Sequence, residues 1–252
     1  LKKRGLKENI IKQFNLGFVP WKNGFYEILL KKYSEEEIKL TGLFYKNEKS
    51  GKFIDRFNSR IIFPINNLAG DPIAFGGRIF KKDSKFAKYI NSPETEFYKK
   101  GRTIFNLDSA KSERSKTNEV LIVEGYMDVL SLHTAGIKNV VSNSGIAITE
   151  SQIELIWKFF SDPIVCLDGD ISGQNAALRA AERLISMISE DNKIYFSILS
   201  KGEDPDDFIK KNGKEKFVEF LKSKKIIQSY IWEMYSKEID RNNPFSVSKF
   251  EK

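Results

Sequence analysis

From Glu119 onward, short apolar runs alternate with helical segments, and this alternation limits the folds that the second half of the chain can adopt. The predicted strands are 120–123, 140–141, 163–167 and 193–199, and the predicted helices between them are 129–135, 149–160 and 173–188. A repeated strand–helix order is typical of a parallel sheet with helices on both faces. We therefore predict an α/β domain in this part of the chain.

The first half has a different pattern. Residues 1–40 are predicted to form helices with loops, and Ser34 before three glutamates is typical of a helix start. Further along, β-prone runs flank polar turns at 46–51 and 66–71, which predicts two antiparallel hairpins. Residues 111–118 have no apolar side chain and are predicted to be a linker. The predicted domains are a mixed α+β basic subdomain at 1–118, an α/β domain at 119–210 and the start of a helical subdomain at 211–252.

The composition excludes several classes of protein. The 252 residues include one cysteine, Cys166, and one histidine, His133, so an internal disulfide or a multi-cysteine zinc site is excluded. No apolar run reaches the ~18 residues of a membrane span. The start of the chain lacks a methionine and a signal peptide, so we expect a piece of a longer protein from a reducing, cytoplasmic compartment. The net charge of +8 favours a polyanionic partner.

Acidic residues follow three of the four predicted strands. They are Glu124 and Asp128 after the first strand, Asp168 and Asp170 after the third, and Asp204 and Asp206 after the fourth. Because the carboxyl ends of parallel strands lie at one edge of a sheet, we expect these acids to converge. Crowded carboxylates repel one another, and Mg²⁺ or Mn²⁺ would relieve that repulsion. Such a centre is typical of phosphoryl transfer.

Each acidic segment also has a purely structural interpretation. Glu124 could be an acid at a helix N-terminus, Asp168 and Asp170 could flank a turn, and Asp204 could cap a helix. Taken singly, these interpretations are as good as a functional one. Their occurrence at successive strand ends favours a shared site.

Residues 78–102 form a basic segment. The segment contains eight basic and three acidic residues, which gives it a net charge of 8 − 3 = +5. The basic residues are Arg78, Lys81, Lys82, Lys85, Lys88, Lys99, Lys100 and Arg102. The segment is either a solvated lysine-rich loop or a track for phosphates with aromatic side chains to stack on bases. Gly76-Gly77-Arg78 either forms a bulge at a sheet edge or allows the backbone to come close to a phosphate.

The acidic segments resemble a known family. A strand ending in glutamate and a later strand ending in Asp-x-Asp are the signature of the Toprim domain. Glu124-Gly-Tyr-Met-Asp128, Asp168-Gly-Asp170 and Gly202-Glu-Asp-Pro-Asp206 are similar to bacterial DNA primases of the DnaG type. The segments 60–65, 75–78, 88–95 and 100–102 resemble the basic subdomain of the same family.

The resemblance implies an enzyme that makes RNA primers on single-stranded DNA by two-metal nucleotidyl transfer from NTPs. It implies catalytic roles for Glu124, Asp128, Asp168 and Asp170, and Mg²⁺ or Mn²⁺ ligands at Glu124, Asp168, Asp170, Asp204 and Asp206, with no zinc in this piece. It implies nucleotide or DNA contacts at Arg60, Arg78, Lys88, Tyr89, Asn91, Lys100 and Arg102. It further implies a monomeric piece acting at the replication fork, whose full-length protein binds the replicative helicase and single-strand-binding protein through other regions.

Two other functions stay open from the residues alone. A Toprim nuclease or topoisomerase would use the same acids for strand cleavage, with Tyr45, Tyr89 or Tyr98 as a candidate nucleophile. A non-catalytic DNA-binding module is the third possibility, although recombination mediators of that kind carry a four-cysteine zinc site that this chain lacks.

Overall fold

The protein is described here by a computed structural model. The described residues are 6–21, 24–80, 86–145 and 147–236, with the side chain of Ser172 excepted. Lys81, Lys82 and Lys85 of the basic segment, and residues 237–252 of the predicted third domain, lie outside them. The chain divides into two compact units, Leu1–Asp108 and Ser109–Lys252. Within the described part, no helix is both long enough and apolar enough to span a bilayer.

The first unit contains an antiparallel sheet, a separate hairpin and short helices. Its elements are α1 (Glu8–Gln13), β1 (Gly17–Val19), α2 (Phe25–Leu30), α3 (Glu35–Leu40), β2 (Phe44–Lys46), β3 (Phe53–Asp55), β4 (Arg60–Asn66), β5 (Pro72–Ile79), β6 (Tyr89–Asn91), a 3₁₀ turn at Lys100–Arg102 and α4 (Leu107–Ala110), which crosses the unit boundary. The sheet order is β1-β4-β5-β6, and β2 pairs with β3.

Local sequence signals explain most of these elements. The Ser34 hydroxyl accepts a hydrogen bond from the Glu37 backbone N–H, and the Glu37 carboxylate accepts one from the Ser34 N–H, so α3 begins with a capping box. Both predicted hairpins are confirmed, as β2–β3 and β4–β5. Strand β1 was not predicted. It is three residues long and depends on pairing with β4, which a local pattern cannot indicate.

The second unit is an α/β sheet flanked by helices. Its elements are a 3₁₀ turn at Lys111–Ser115, β7 (Glu119–Val123), α5 (Tyr126–Thr134), β8 (Val140–Ser142), α6 (Glu150–Trp157), β9 (Asp162–Leu167), α7 (Ile171–Leu184), a 3₁₀ turn at Ile185–Met187, β10 (Tyr195–Ile198), α8 (Pro205–Lys222), β11 (Lys225–Ile226) and α9 (Ile227–Ser236). The order is β11-β10-β9-β7-β8, with β7 to β10 parallel and β11 antiparallel. The predicted fold class is thus confirmed.

The strand order creates a switch point between β7 and β9. These two strands are neighbours and are buried along nearly their whole length. From β7 the chain crosses to β8 on one side, and it then returns to β9 and β10 on the other side. In open parallel sheets, the diverging connections leave a crevice at the carboxyl ends of two such strands. Glu124 and Asp168 are the residues that directly follow these strands.

Two details of the second unit differ from the predictions. Strand β11 was not predicted, because its two residues pair only at Tyr195 and Phe196 of β10 and carry no pattern of their own. Helix α7 begins at Ile171, two residues before the predicted start at 173, and is capped by Asp170, whose side chain accepts from the Gly173 N–H.

Helix α8 is broken in the middle. Gly213 has φ +81° and ψ 174°, a backbone conformation that favours glycine and interrupts the helix. Across the break, the ring of Phe208 contacts those of Phe217 and Phe220, with centroids 5.5 and 5.6 Å away. Side-chain packing therefore connects the two halves of α8.

Gly169 allows the loop after β10 to reach the end of β9. Its N–H donates to the Glu203 carbonyl at 3.0 Å, and a Cβ at this position would lie 1.8 Å from the Ser200 carbonyl oxygen. Only a residue without a side chain permits this approach. The loop that precedes Asp204 is thereby held against Asp168 and Asp170.

We predict that Gly169→Ala destabilises the protein by about 1–3 kcal/mol, because backbone on both sides must move to admit the methyl group. Denaturant unfolding measures this difference. Gly17→Ala is the matched control, since its nearest neighbour to a new Cβ is 3.9 Å away, and it should change stability by less than about 0.5 kcal/mol. Equal effects of the two substitutions would contradict the packing argument.

Candidate functional site

Glu124 and Asp168 meet at the switch point of the second unit. The Asp168 backbone N–H donates to Glu124 Oε1 at 3.3 Å. The Glu124 carbonyl accepts from the Ser142 hydroxyl at 2.8 Å and from the Gly145 N–H at 2.9 Å, so the loop after β8 holds this residue. The carboxyl ends of three parallel strands are therefore joined around one glutamate.

Asp170 and Asp204 are each the N-cap of a helix. The Gly173 N–H donates to Asp170 Oδ1 at 2.6 Å, and the Asp207 N–H donates to Asp204 Oδ1 at 2.7 Å. Caps of this kind place a carboxylate at the positive end of the helix dipole. The charge of Asp204 acts on Asp168 and Asp128, and that of Asp170 acts on Asp168 and Glu124. The helix cap at Asp204 and the convergence of the acids are thus as predicted, whereas Asp170, interpreted as part of a turn, also caps a helix.

The two remaining predicted acids lie deeper. Asp128 is 9% exposed and accepts from the Gly125 N–H at 2.9 Å. Asp206 is 6% exposed and bonds to the Ser131 hydroxyl on α5 and, at 2.6 Å, to the ammonium group of Lys210. Carboxylate oxygens of Asp204, Asp206 and Asp207 lie within 4.8 Å of one another.

Burial and mutual repulsion raise the pKa values of the cluster. Burial followed by the charges of Glu124, Asp204 and others raises the pKa of Asp168 to about 7. Burial, and then Asp170, raises the pKa of Glu124, while burial, and then Asp204 and Asp168, raises that of Asp128 well above its usual range. Burial, and then Asp207, raises the pKa of Asp204. The fold thus concentrates negative charge that its own residues do not fully neutralise.

The donor set fits a hard divalent cation. Asp168 Oδ1 is buried and has no hydrogen-bond partner among the residues that the structure describes. The neighbouring acids offer carboxylate oxygens as metal ligands, and Mg²⁺ and Mn²⁺ prefer such ligands over softer ones. A buried carboxylate oxygen without a donor is costly unless a cation occupies the site. With such a cation bound, the arrangement could hold and polarise a phosphate-bearing substrate.

In the first unit, the basic segment brings two cations to one ring. Arg78 on β5 and Tyr89 on β6 are cross-strand partners, and the guanidinium carbon lies 5.3 Å from the ring centroid. The Lys88 ammonium lies 5.8 Å from the same centroid. Asn91 lies two residues along β6, on the same face of the strand as Tyr89. Lys100 and Arg102 lie apart from these, in the 3₁₀ turn.

Arg60, which was predicted to contact a nucleotide or DNA, is buried in the structure. Its side chain is 4% exposed, and Nη1 donates to the carbonyls of Gly77, Ala87 and Lys88 at 3.4, 2.9 and 3.4 Å. The guanidinium is therefore used to hold the segment that enters β6. Arg60 therefore helps to position Lys88 through the Lys88 carbonyl, and a contact of Arg60 itself with a ligand stays a prediction.

The edge-bulge interpretation of Gly76-Gly77-Arg78 is wrong, and the approach of its backbone to a phosphate stays a prediction. Strand β5 lies between β4 and β6, so Gly77 is not at an edge. A Cβ on Gly77 would lie 2.5 Å from the Phe57 ring and 3.0 Å from Arg60 Cδ. The glycine leaves room for these side chains under the sheet.

Three contributors to the acidic cluster were not in the predicted set. Ser131 and Lys210 bond to Asp206, and Asp207 belongs to the group that could hold a cation. The spacing in the sequence indicated two of them. Ser131 is three residues after the predicted acid Asp128, and Lys210 is four residues after the predicted acid Asp206, so each lies on the same helix face as a predicted acid. A serine and a lysine on helices are too common for that spacing to stand out.

Two family models match the chain. Residues 1–111 match the model described as "DNA primase catalytic core, N-terminal domain", and residues 121–209 match a Toprim-like model. The curated DNA primase of Haemophilus influenzae is 36% identical over 245 residues, which cover 95% of this chain and 40% of that protein. The chain spans about 40% of the length of the curated relatives it matches.

Solved structures are similar over nearly the whole chain. A DNA primase domain from Pseudomonas aeruginosa matches with a TM-score of 0.86 and 34% identity, covering 95% of this chain and 75% of that one. A DnaG primase catalytic domain bound to single-stranded DNA matches with a TM-score of 0.89 and 32% identity, covering 99% of this chain and 78% of that one.

We predict that Asp168→Asn makes the protein more stable than wild type at pH 8 in the presence of EDTA. The folded-state pKa of Asp168 is raised to about 7, so the folded state binds a proton that the unfolded chain has already lost. The stability from this group is therefore lost as pH rises through about 7, and asparagine removes that loss. Thermal unfolding should show Tm higher by several degrees at pH 8, with a smaller difference at pH 5.

The same scans with Mn²⁺ provide the control. The Tm of wild type should rise on addition of Mn²⁺ at pH 8, because a ligand that binds only the folded state stabilises it. The Tm of the variant should rise little. A variant that is less stable than wild type at pH 8 without metal would contradict the electrostatic argument.

Proposed function

This chain belongs to the DNA primase family of the DnaG type, and from that premise we propose that it synthesises short RNA primers on single-stranded DNA. The observation that carries the proposal is the meeting of Glu124, Asp168 and Asp204 at the switch point, with Asp168 Oδ1 lacking a hydrogen-bond partner in the described structure. In this proposal the enzyme is a DNA-directed RNA polymerase. It joins the 3′-hydroxyl of a primer, or of the first nucleotide, to the α-phosphate of an incoming NTP with loss of pyrophosphate.

Within this proposal, Glu124, Asp168, Asp170 and Asp204 hold two or more divalent cations, either Mg²⁺ or Mn²⁺, and no zinc. When bound, such cations polarise the α-phosphate, lower the pKa of the attacking hydroxyl and offset charge on the leaving pyrophosphate. The chain itself contributes fixed geometry, because two of the acids are helix caps and two directly follow buried strands. Asp128 and Asp206 complete the cluster from the adjoining helices.

In the first unit, we propose that Arg78, Lys88, Asn91, Lys100 and Arg102 contact template or nucleotide phosphates, with Tyr89 beside them. Support comes from the pairing of Arg78 and Lys88 with one tyrosine ring and from the exposure of Lys88 and Arg102. One of the solved relatives is bound to single-stranded DNA. Phosphate contacts would fix the register of the strand without reading its sequence.

The proposed domains are a nucleic-acid-binding subdomain at 1–118, a Toprim catalytic domain at 119–210 and the start of a helical subdomain at 211–252. The two family models support the first two assignments. We propose that the protein acts in the cytoplasm at the replication fork, as part of a full-length protein that contacts the helicase and single-strand-binding protein through other regions.

We predict that Asp168→Ala abolishes primer synthesis and weakens metal-dependent NTP binding by at least about tenfold, because it removes the acid at the centre of the cluster. The assay incubates the chain with single-stranded DNA, labelled NTPs and Mn²⁺ or Mg²⁺, and separates short RNA products. Glu154→Ala, an exposed acid on α6 outside the cluster, is the control and should leave both readouts unchanged. Unchanged NTP and metal affinity in Asp168→Ala, or nicking of supercoiled DNA without NTPs, would contradict the proposal.

A second prediction concerns the first unit. Lys88→Ala should weaken binding to single-stranded DNA and reduce the slope of log Kobs against log salt by about 0.7, the value for one lost phosphate contact. Fluorescence anisotropy with a labelled oligonucleotide at several salt concentrations measures both quantities. Lys12→Ala, an exposed lysine paired with Glu8 in the same unit, should leave the slope unchanged. Equal slopes for wild type and Lys88→Ala would show that Lys88 does not contact a phosphate.

A further inference from the structure

Asp206 differs from the other acids of the cluster because both of its oxygens are already bonded. It is the second residue of α8, and its Oδ1 accepts from the Ser131 hydroxyl while Oδ2 accepts from the Lys210 ammonium at 2.6 Å. Its side chain is 8% exposed. A buried carboxylate with one neutral and one cationic donor is held in one orientation.

The two donors come from different directions. Ser131 is buried on α5, one helical turn after Asp128, and α5 packs against α8. Lys210 lies one turn further along α8 itself, with its side chain 41% exposed. The carboxylate of Asp206 is therefore clamped between a neighbouring helix and the next turn of its own helix. The first turn of α8, which begins with Asp204 as its cap, is fixed by the same contacts.

The contacts of Asp206 oppose repulsion between α8 and the neighbouring acids. The charges of Asp204 and Asp206 act on Asp128, and those of Asp204 and Asp207 act on Asp168, so α8 brings three acids against the acids of α5 and β9. Like charges at these distances push the helix away from the sheet edge. A hydrogen bond to α5 and a local cation oppose that push before any metal binds.

Resting on the primase function proposed above, we propose that Ser131 and Lys210 are positioning residues for the metal centre. They hold Asp206, and through it the first turn of α8, so that Asp204 faces Asp168 and Asp128. Neither needs to touch metal or substrate to do so. Groups that orient metal ligands in this way typically change metal affinity by about 10–100-fold when removed.

The charge of Lys210 allows a decisive test. If Lys210 were only a neighbouring positive charge, Lys210→Met would strengthen Mn²⁺ binding, because it removes repulsion between two cations. If Lys210 positions Asp206, the same substitution weakens Mn²⁺ binding. Ser131→Ala changes no charge, so any loss of affinity in that variant reports geometry.

The experiment measures Mn²⁺ affinity of the 252-residue chain by isothermal titration calorimetry, without DNA or NTPs. We expect Ser131→Ala and Lys210→Met each to weaken binding by about tenfold, and Lys210→Arg to restore most of it, since a guanidinium can also donate to Asp206. Lys211→Met is the matched control. It removes the same charge one residue along, from a side chain that is 72% exposed and paired with Glu203, and it should leave affinity within about twofold.

Two outcomes would overturn the positioning role. Unchanged or tighter Mn²⁺ binding in Lys210→Met, with unchanged binding in Ser131→Ala, overturns the positioning role while leaving the primase proposal standing. Absence of Mn²⁺ binding in wild type overturns both. Circular dichroism identifies a variant that does not fold. If Ser131→Ala fails in this way, Lys210→Met decides the question, because its half-exposed side chain can be shortened without opening the core.

Discussion

Repulsion among carboxylates at one edge of a parallel sheet is the constraint on which the second unit depends. The strand order brings the ends of β7, β9 and β10 together, and each end delivers acids. Burial makes the repulsion stronger than it would be in water, as the raised pKa of Asp168 indicates. The fold opposes it with helix N-termini capped by Asp170 and Asp204 and with the cation of Lys210. A divalent cation would complete this neutralisation.

The same residues therefore serve structure and chemistry at once. Asp170 and Asp204 would be ordinary N-caps in another protein, where they would stabilise the helices by about 0.5–2 kcal/mol each. Here, capping orients one oxygen of each acid toward its helix, and the charges of both acids act on Asp168. Gly169 contributes by letting the loop after β10 approach β9. Helix stability and site geometry are thus coupled in this region.

The sequence predicted the fold class, the strands of the α/β unit and the convergence of acids, because burial and turn chemistry are local signals. It did not predict β1 and β11, which are two or three residues long and depend on a neighbouring strand. It did not indicate that the Arg60 side chain is buried against Gly77, because that placement depends on strand register. It omitted Ser131, because its partner Asp206 comes 75 residues later along the chain, and Lys210, because a lysine one turn from an acid is common on helices. The roles of the predicted site residues stay predictions.

The break in α8 has a consequence for how rigid the acidic edge can be. Because the main-chain hydrogen-bond ladder is interrupted at Gly213, bending of the distal half is not transmitted through the helix backbone to the turn that carries Asp204. The packing of Phe208 against Phe217 and Phe220 is what joins the halves mechanically. The acidic edge and the distal half of α8 are thus coupled by three phenylalanine rings and not by a continuous helix backbone.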